Sequence, residues 1–94
     1  MAQLRDNRAL GRYELDVDGQ VVFADYRRDG PRVFIDHVEA PPALRGTGAA
    51  GRFMEALVAD ARAQSHILVP ICGYAVTWLR RHPALAAGVI SAEN

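Results

Sequence analysis

From Arg12 to Val17 the chain alternates, with Tyr13, Leu15 and Val17 apolar and Arg12, Glu14 and Asp16 polar. That period of two predicts a half-buried strand. Asp18-Gly19 follows, a pair suited to the two positive-φ positions of a type I′ turn. Gln20 to Arg28, with Val21, Val22, Phe23 and Tyr26, reads as the return strand. Asp29-Gly30-Pro31 marks a second turn. Arg32 to Val38, with Val33, Phe34, Ile35 and Val38, makes a third strand, and the three form an antiparallel meander.

The pattern then changes. Ala40-Pro41-Pro42 breaks the sheet, because proline cannot donate to a ladder. Past Arg45-Gly46-Thr47-Gly48 the period becomes helical. Phe53, Met54, Leu57, Val58 and Ala61 share one face, and Arg52, Glu55, Asp60 and Arg62 fall mostly on the other. This helix is expected to end near Gln64-Ser65. His66 to Ile71 is a short apolar run suited to a buried strand. Strand, helix, strand at this length predicts a βαβ unit, with the last strand parallel to the third. Tyr74 to His82 reads as a C-terminal helix stopped by Pro83, and the pattern allows one more helical turn within Ala84 to Asn94. The fold class expected is α+β, in one domain over residues 1–94.

Composition narrows the classes. The chain has 94 residues, half of them hydrophobic, with 11 basic and 11 acidic residues and no net charge. A neutral chain is not driven onto nucleic acid or anionic lipid. All basic residues are arginine, so the chain has no lysine side chain. Cys72 is the one cysteine, which excludes an intrachain disulfide, and the spaced ligands of a zinc site are missing. Met1 to Leu10 has no signal-peptide pattern, and no apolar run approaches the ~20 residues of a membrane span. The expectation is a cytoplasmic protein, monomeric or a small homo-oligomer, with neither membrane nor nucleic acid as partner.

Arg45 to Ala50 carries the most chemistry. Gly46 and Gly48 lack Cβ and let a ligand approach the backbone. The loop opens a helix, whose first N–H groups lack intrahelical partners and favour a phosphate. Two glycines alone fit a plain strand-to-helix connection equally well. The Gly-Lys-Ser/Thr of a nucleotide P-loop is absent. A dinucleotide fold would need parallel βαβ from the start, where this chain has a meander.

Arg45-Gly46-Thr47-Gly48-Ala49-Ala50, between a strand and an amphipathic helix, resembles the pyrophosphate-binding motif of the GNAT superfamily of N-acetyltransferases. Three segments resemble a group of very short GNAT-like proteins: His37-Val38-Glu39-Ala40-Pro41-Pro42-Ala43-Leu44-Arg45-Gly46, Val69-Pro70-Ile71-Cys72-Gly73-Tyr74 and Arg81-His82-Pro83. The resemblance to that group spans nearly the whole chain. That group has Cys-Pro-Tyr or Cys-Ser-Tyr where this chain has Cys72-Gly73-Tyr74, so Gly73 is a departure.

The resemblance implies a compact acetyl-CoA-binding fold in which the third and last strands splay apart around the pantetheine arm. It implies cofactor contacts at Val38, Ala40, Arg45, Gly46, Thr47, Gly48, Ala49, Ala50, Gly51, Cys72 and Gly73, with the thioester pointing towards Cys72. It also implies an open acceptor site, because longer GNAT enzymes have an extra N-terminal helical segment for which this sequence has no room. No metal is implied.

Four residues are catalytic candidates for acetyl transfer to an unidentified amine, each with a plainer alternative. Cys72 precedes a helix, where the dipole favours thiolate, and could carry the acetyl group; it could equally be a core cysteine. Tyr74 could protonate the departing CoA thiolate, or be a half-buried aromatic. His37 and Glu39, two apart on one strand face, could act as base; the alternatives are a hydrogen-bonded sheet histidine and a solvated loop glutamate. Arg80, Arg81 and His82 complement a helix dipole or reach the cofactor phosphates. Trp78 reads as core. Two other functions stay open beside the enzyme: a CoA-binding module with little turnover, and a small interaction domain whose loop binds nothing.

Overall fold

A computed structural model describes residues 3–90. Its sheet has five strands in sequence order: β1 (Arg5–Asn7), β2 (Arg12–Val17), β3 (Gln20–Asp29), β4 (Arg32–Glu39) and β5 (Ile67–Pro70). The first four are antiparallel, and β5 runs parallel to β4. The helices are α1 (Ala49–Gln64), α2 (Gly73–Arg81) and a short α3 (Pro83–Ala86).

Sequence alternation sets the two faces of the sheet. Tyr13, Leu15, Val17, Val22, Ala24, Val33, Ile35 and Leu68 are buried on one face. They join Phe53, Met54, Leu57, Val58 and Ala61 of α1 and Ala75, Trp78 and Leu79 of α2 in a single core. Phe53, Ile35 and Met54 are fully buried, each contributing about 1.5–3 kcal/mol by leaving water.

The other face is built from arginine, carboxylate and aromatic side chains. Arg12 lies over the Phe23 ring, 4.4 Å from its centroid, and Arg27 over Phe34 at 5.1 Å. Glu14, only 7% exposed, accepts from Arg12 Nε (2.7 Å), Arg5 Nη2 (3.3 Å) and Asn7 Nδ2 (3.3 Å). These bonds satisfy a carboxylate that burial would otherwise penalise.

The three-stranded meander expected from the sequence gains a fourth antiparallel strand, β1. Arg5-Asp6-Asn7 shows neither alternation nor apolar content. It is held by pairing with Arg12–Glu14 and by Arg5 bonding Glu14 and Asp16 across the strands. At the β2–β3 hairpin Asp18 and Gly19 have φ of 50° and 79°, as a type I′ turn requires. α2 begins at Gly73, one residue before the expected start. After α3 the chain returns beside β5, where Ile90 bridges Leu68. The end of the expected C-terminal turn, residues 91–94, lies outside the described residues. Among those described, no helix is long and apolar enough to cross a membrane.

Candidate active site

β4 and β5 stay paired only from Arg32↔Ile67 to Ile35↔Pro70. The N–H groups of Ile71 and Cys72 both donate to the Ile35 carbonyl, at 2.9 and 3.1 Å. The chain then turns away into α2. Asp36 to Glu39 therefore continue without a strand on that side, and the parallel pair opens into a V.

A β-bulge sits at the same point. Asp25 faces His37 and Tyr26 faces Ile35, so Asp36 is the extra residue of β4. A bulge bends its strand and reverses the alternation beyond it. Val33 and Ile35 face the helices before it, and Val38, opposite Ala24, does so after it. His37 and Glu39 are turned to the outer face, where Glu39 stands opposite Phe23. Arg27 clamps the Asp36 carboxylate through Nε and Nη2, both at 2.8 Å, and this hydrogen-bonded pairing lowers the Asp36 pKa.

The connection to α1 is a 3-10 turn at Pro42–Leu44, with Leu44 plugged into the core. Gly46 and Gly48 have φ of 80° and 83°, which costs a residue with a Cβ roughly 1–2 kcal/mol. A Cβ built on either would meet nothing within 4 Å, so their outer side is open. The Arg45 N–H donates to Pro42 O and the Thr47 N–H to Leu44 O. The Thr47 hydroxyl donates to Leu44 O at 2.5 Å and accepts from the Ala49 N–H at 3.3 Å. The first bond of the helix runs from Arg52 N–H to Gly48 O. The N–H groups of Gly46, Gly48, Ala50 and Gly51 have no partner among the described residues. Four free donors thus crowd one helix N-terminus, an arrangement that suits an anion.

Two adjoining depressions, of about 240 and 300 Å³, follow the V and the loop. Both are walled by Ala40, Arg45, Ala50 and Tyr74. The first adds Val38 and Glu39, and the second adds Leu44, Gly46, Gly48, Ala49 and Gly51. Most of the residues that the sequence assigns to a cofactor thus border one groove. Thr47 does not line it, and its hydroxyl is folded back on the loop.

The catalytic candidates divide. Tyr74, 41% exposed, lines the groove, and burial, followed by the nearby Cys72 thiol, raises its phenol pKa. Glu39 also lines the groove, with Arg45 Nη2 3.6 Å from its Oε2. His37 Nε2 lies 2.8 Å from Glu39 Oε1 but is outside the lining. Cys72, the N-cap of α2, is half-buried against the core, and neither it nor the exposed Gly73 lines the groove. His82 stacks on Trp78 at 3.9 Å and bonds its carbonyl, while Arg80 borders a separate apolar groove with Pro70, Val76 and Leu79. Sequence reading misses two positions that shape the site. Leu44 anchors the loop, signalled only as an apolar residue between proline and arginine. Asp36 forms the bulge and has no signal in the sequence. No cluster of metal-ligating side chains occurs among the described residues.

The sequence model of the GCN5-related N-acetyl-transferase family matches residues 12–88, from β2 to the turn after α3. The chain belongs to that family. No curated protein gives a significant match to it. Membership supports acyltransferase activity in general.

Proposed function

We propose that this protein transfers an acetyl group from acetyl-CoA to an amine. The observation that carries the reading is the set of four free N–H groups at Gly46, Gly48, Ala50 and Gly51, bordering a groove that runs into the open V of β4 and β5. Those donors suit a pyrophosphate. The unpaired edge of Asp36 to Glu39 suits the amides of a pantetheine arm, and Val38 and Ala40 supply an apolar wall. When bound, acetyl-CoA supplies an acyl group activated as a thioester. The protein's own groups then divide the proton work. The Tyr74 phenol, its pKa raised, keeps a proton on Oη for a departing thiolate. Glu39, backed by His37, accepts a proton from the incoming ammonium. Cys72 stands outside the groove lining, which favours direct transfer over a covalent relay.

A second reading is a CoA-binding module with little turnover, favoured by the position of Cys72 and His37 outside the lining. Thermal unfolding with CoA and acetyl-CoA, followed by intact mass and an amine panel, tests both. Ligand at ~100 times Kd adds about 2.7 kcal/mol, a rise of several degrees in Tm for a domain this size. A rise with acetylated amine and no protein adduct supports direct transfer. An adduct lost in Cys72→Ala supports the relay. A rise without product leaves the binding module, and no rise with either ligand removes the cofactor from the reading.

A further inference from the structure

The lining of the groove holds two charged side chains, Glu39 and Arg45. Glu39 borders the first depression, while Arg45 borders both and is the one cation in either. The second depression is bordered by Gly46, Gly48, Ala50 and Gly51, which carry the free N–H groups. Arg45 therefore stands between a carboxylate and a cradle for an anion.

Its side chain is loosely held there. Arg45 Nη2 lies 3.6 Å from Glu39 Oε2, beyond hydrogen-bond distance, and the side chain is 66% exposed. Among the described residues Arg45 makes no other ion pair. An exposed pair of this kind is weak and screened by salt. The backbone is fixed by contrast, because the Arg45 N–H donates to Pro42 O at 3.2 Å. Arg45 can thus change partners by side-chain rotation, with the loop left in place. The two oxygens of Glu39 also differ. Oε1 is 2.8 Å from Nε2 of His37, which is outside the lining. Oε2 faces Arg45, which is within it.

We propose, resting on the acetyl-CoA reading of this groove, that Arg45 is a positioning residue shared between the cofactor phosphates and Glu39. Without cofactor it faces Oε2, and its charge opposes the approach of an ammonium to that oxygen. A pyrophosphate carries more negative charge than one carboxylate and settles beside the four free donors, so it draws the guanidinium away. Oε2 is then open to the amine, while His37 still holds Oε1. Glu39 and CoA compete for one cation, and the competition is reciprocal: whatever Glu39 gains from Arg45, the cofactor has to displace.

The test is calorimetric titration of CoA into the intact chain, Glu39→Gln, Arg45→Gln and the double variant, all at low ionic strength. Both side chains are 39% or more exposed, so neither change disturbs the core. Glu39→Gln is expected to tighten CoA about two- to fivefold, the range open to an exposed ion pair. A merely structural role for Glu39 would loosen it instead. Arg45→Gln is expected to weaken CoA, and adding Glu39→Gln to it is expected to change nothing further. Equal tightening by Glu39→Gln in both backgrounds would assign the effect to direct repulsion between Glu39 and the phosphates and overturn the proposal. Unchanged or weaker binding in Glu39→Gln would overturn it too. Failure of CoA to bind the unaltered chain would remove the cofactor reading itself, and the shared arginine with it.

Discussion

The Cys72 N–H donates to the Ile35 carbonyl at 3.1 Å, which ties the first turn of α2 to the place where β4 bulges. This bond sits at the apex of the V, so the opening between β4 and β5 is set by backbone geometry. The residue after it, Gly73, is therefore free to vary in ways that its neighbours are not.

Gly73→Pro should stabilise the protein. Gly73 is the first residue of α2, a position where the fixed φ of proline suits the helix and its missing N–H is not needed. Cys72 already has φ −62° and ψ 134°, the extended conformation that a following proline demands. A Cβ at position 73 would meet nothing within 4 Å. Lower chain entropy in the unfolded state should add about 0.4–1 kcal/mol, seen as a higher Tm. A lower Tm would mean that the turn needs the freedom of glycine.

Gly48→Val should cost about 1–2 kcal/mol, because φ of 83° places a Cβ residue in the left-handed region. It should also abolish the Tm rise with CoA, since the new side chain projects from the donor-bearing loop. Arg52→Ala, on the exposed side of α1, should keep that rise. Calorimetry of the three proteins checks this, and an unchanged CoA response in Gly48→Val would remove the loop from the binding site.

Tyr74→Phe should keep the fold and the CoA response while lowering kcat about 10²–10⁴-fold, the range for a lost general acid. The ring is 41% exposed and its hydroxyl carries no hydrogen bond to another described residue, so structure has little to lose. Steady-state kinetics with an amine that is turned over gives the answer, and an unchanged kcat would exclude the phenol as proton donor.

Stability should fall in acid. The Glu14 pKa is lowered chiefly by its bond from Arg12, that of Asp16 by Arg5 and that of Asp36 by Arg27. A carboxylate with a depressed folded pKa contributes stability above its unfolded pKa and loses it as pH drops through the folded one. Tm should therefore hold down to about pH 4–5 and decline below, where ordinary carboxylates begin to protonate. Glu14→Gln should lower Tm at neutral pH and shrink the difference between neutral and acid. Equal acid sensitivity in both proteins would shift the cause to the more exposed pairs.

Much of this architecture is legible where local rules decide it. Asp18-Gly19 carries its turn geometry in two residues, and the stripe from Phe53 to Ala61 is the buried face of α1. The glycines at 46 and 48 mark the loop, because the backbone there takes positive φ. What the sequence hides depends on partners far along the chain. β1 is three polar residues whose pairing rests on charges at Glu14 and Asp16. Spacing puts His37 and Glu39 on one face, but the face itself follows from the bulge at Asp36, which exists only against β3. That is why Glu39 reaches the groove at the sheet edge while His37 stands behind it.

The bulge makes β4 sensitive to length in a way that substitutions do not reveal. Asp36 works as a half-step in the phase of the strand. Deleting it would restore unbroken alternation with the faces kept, His37 still opposite Asp25 and Val38 still opposite Ala24, and the strand would run straight. Point changes along Asp36 to Glu39 alter one side chain each, whereas the loss of that one residue removes the bend at the mouth of the V together with the carboxylate that Arg27 clamps. Any variation that keeps the bend must keep that count.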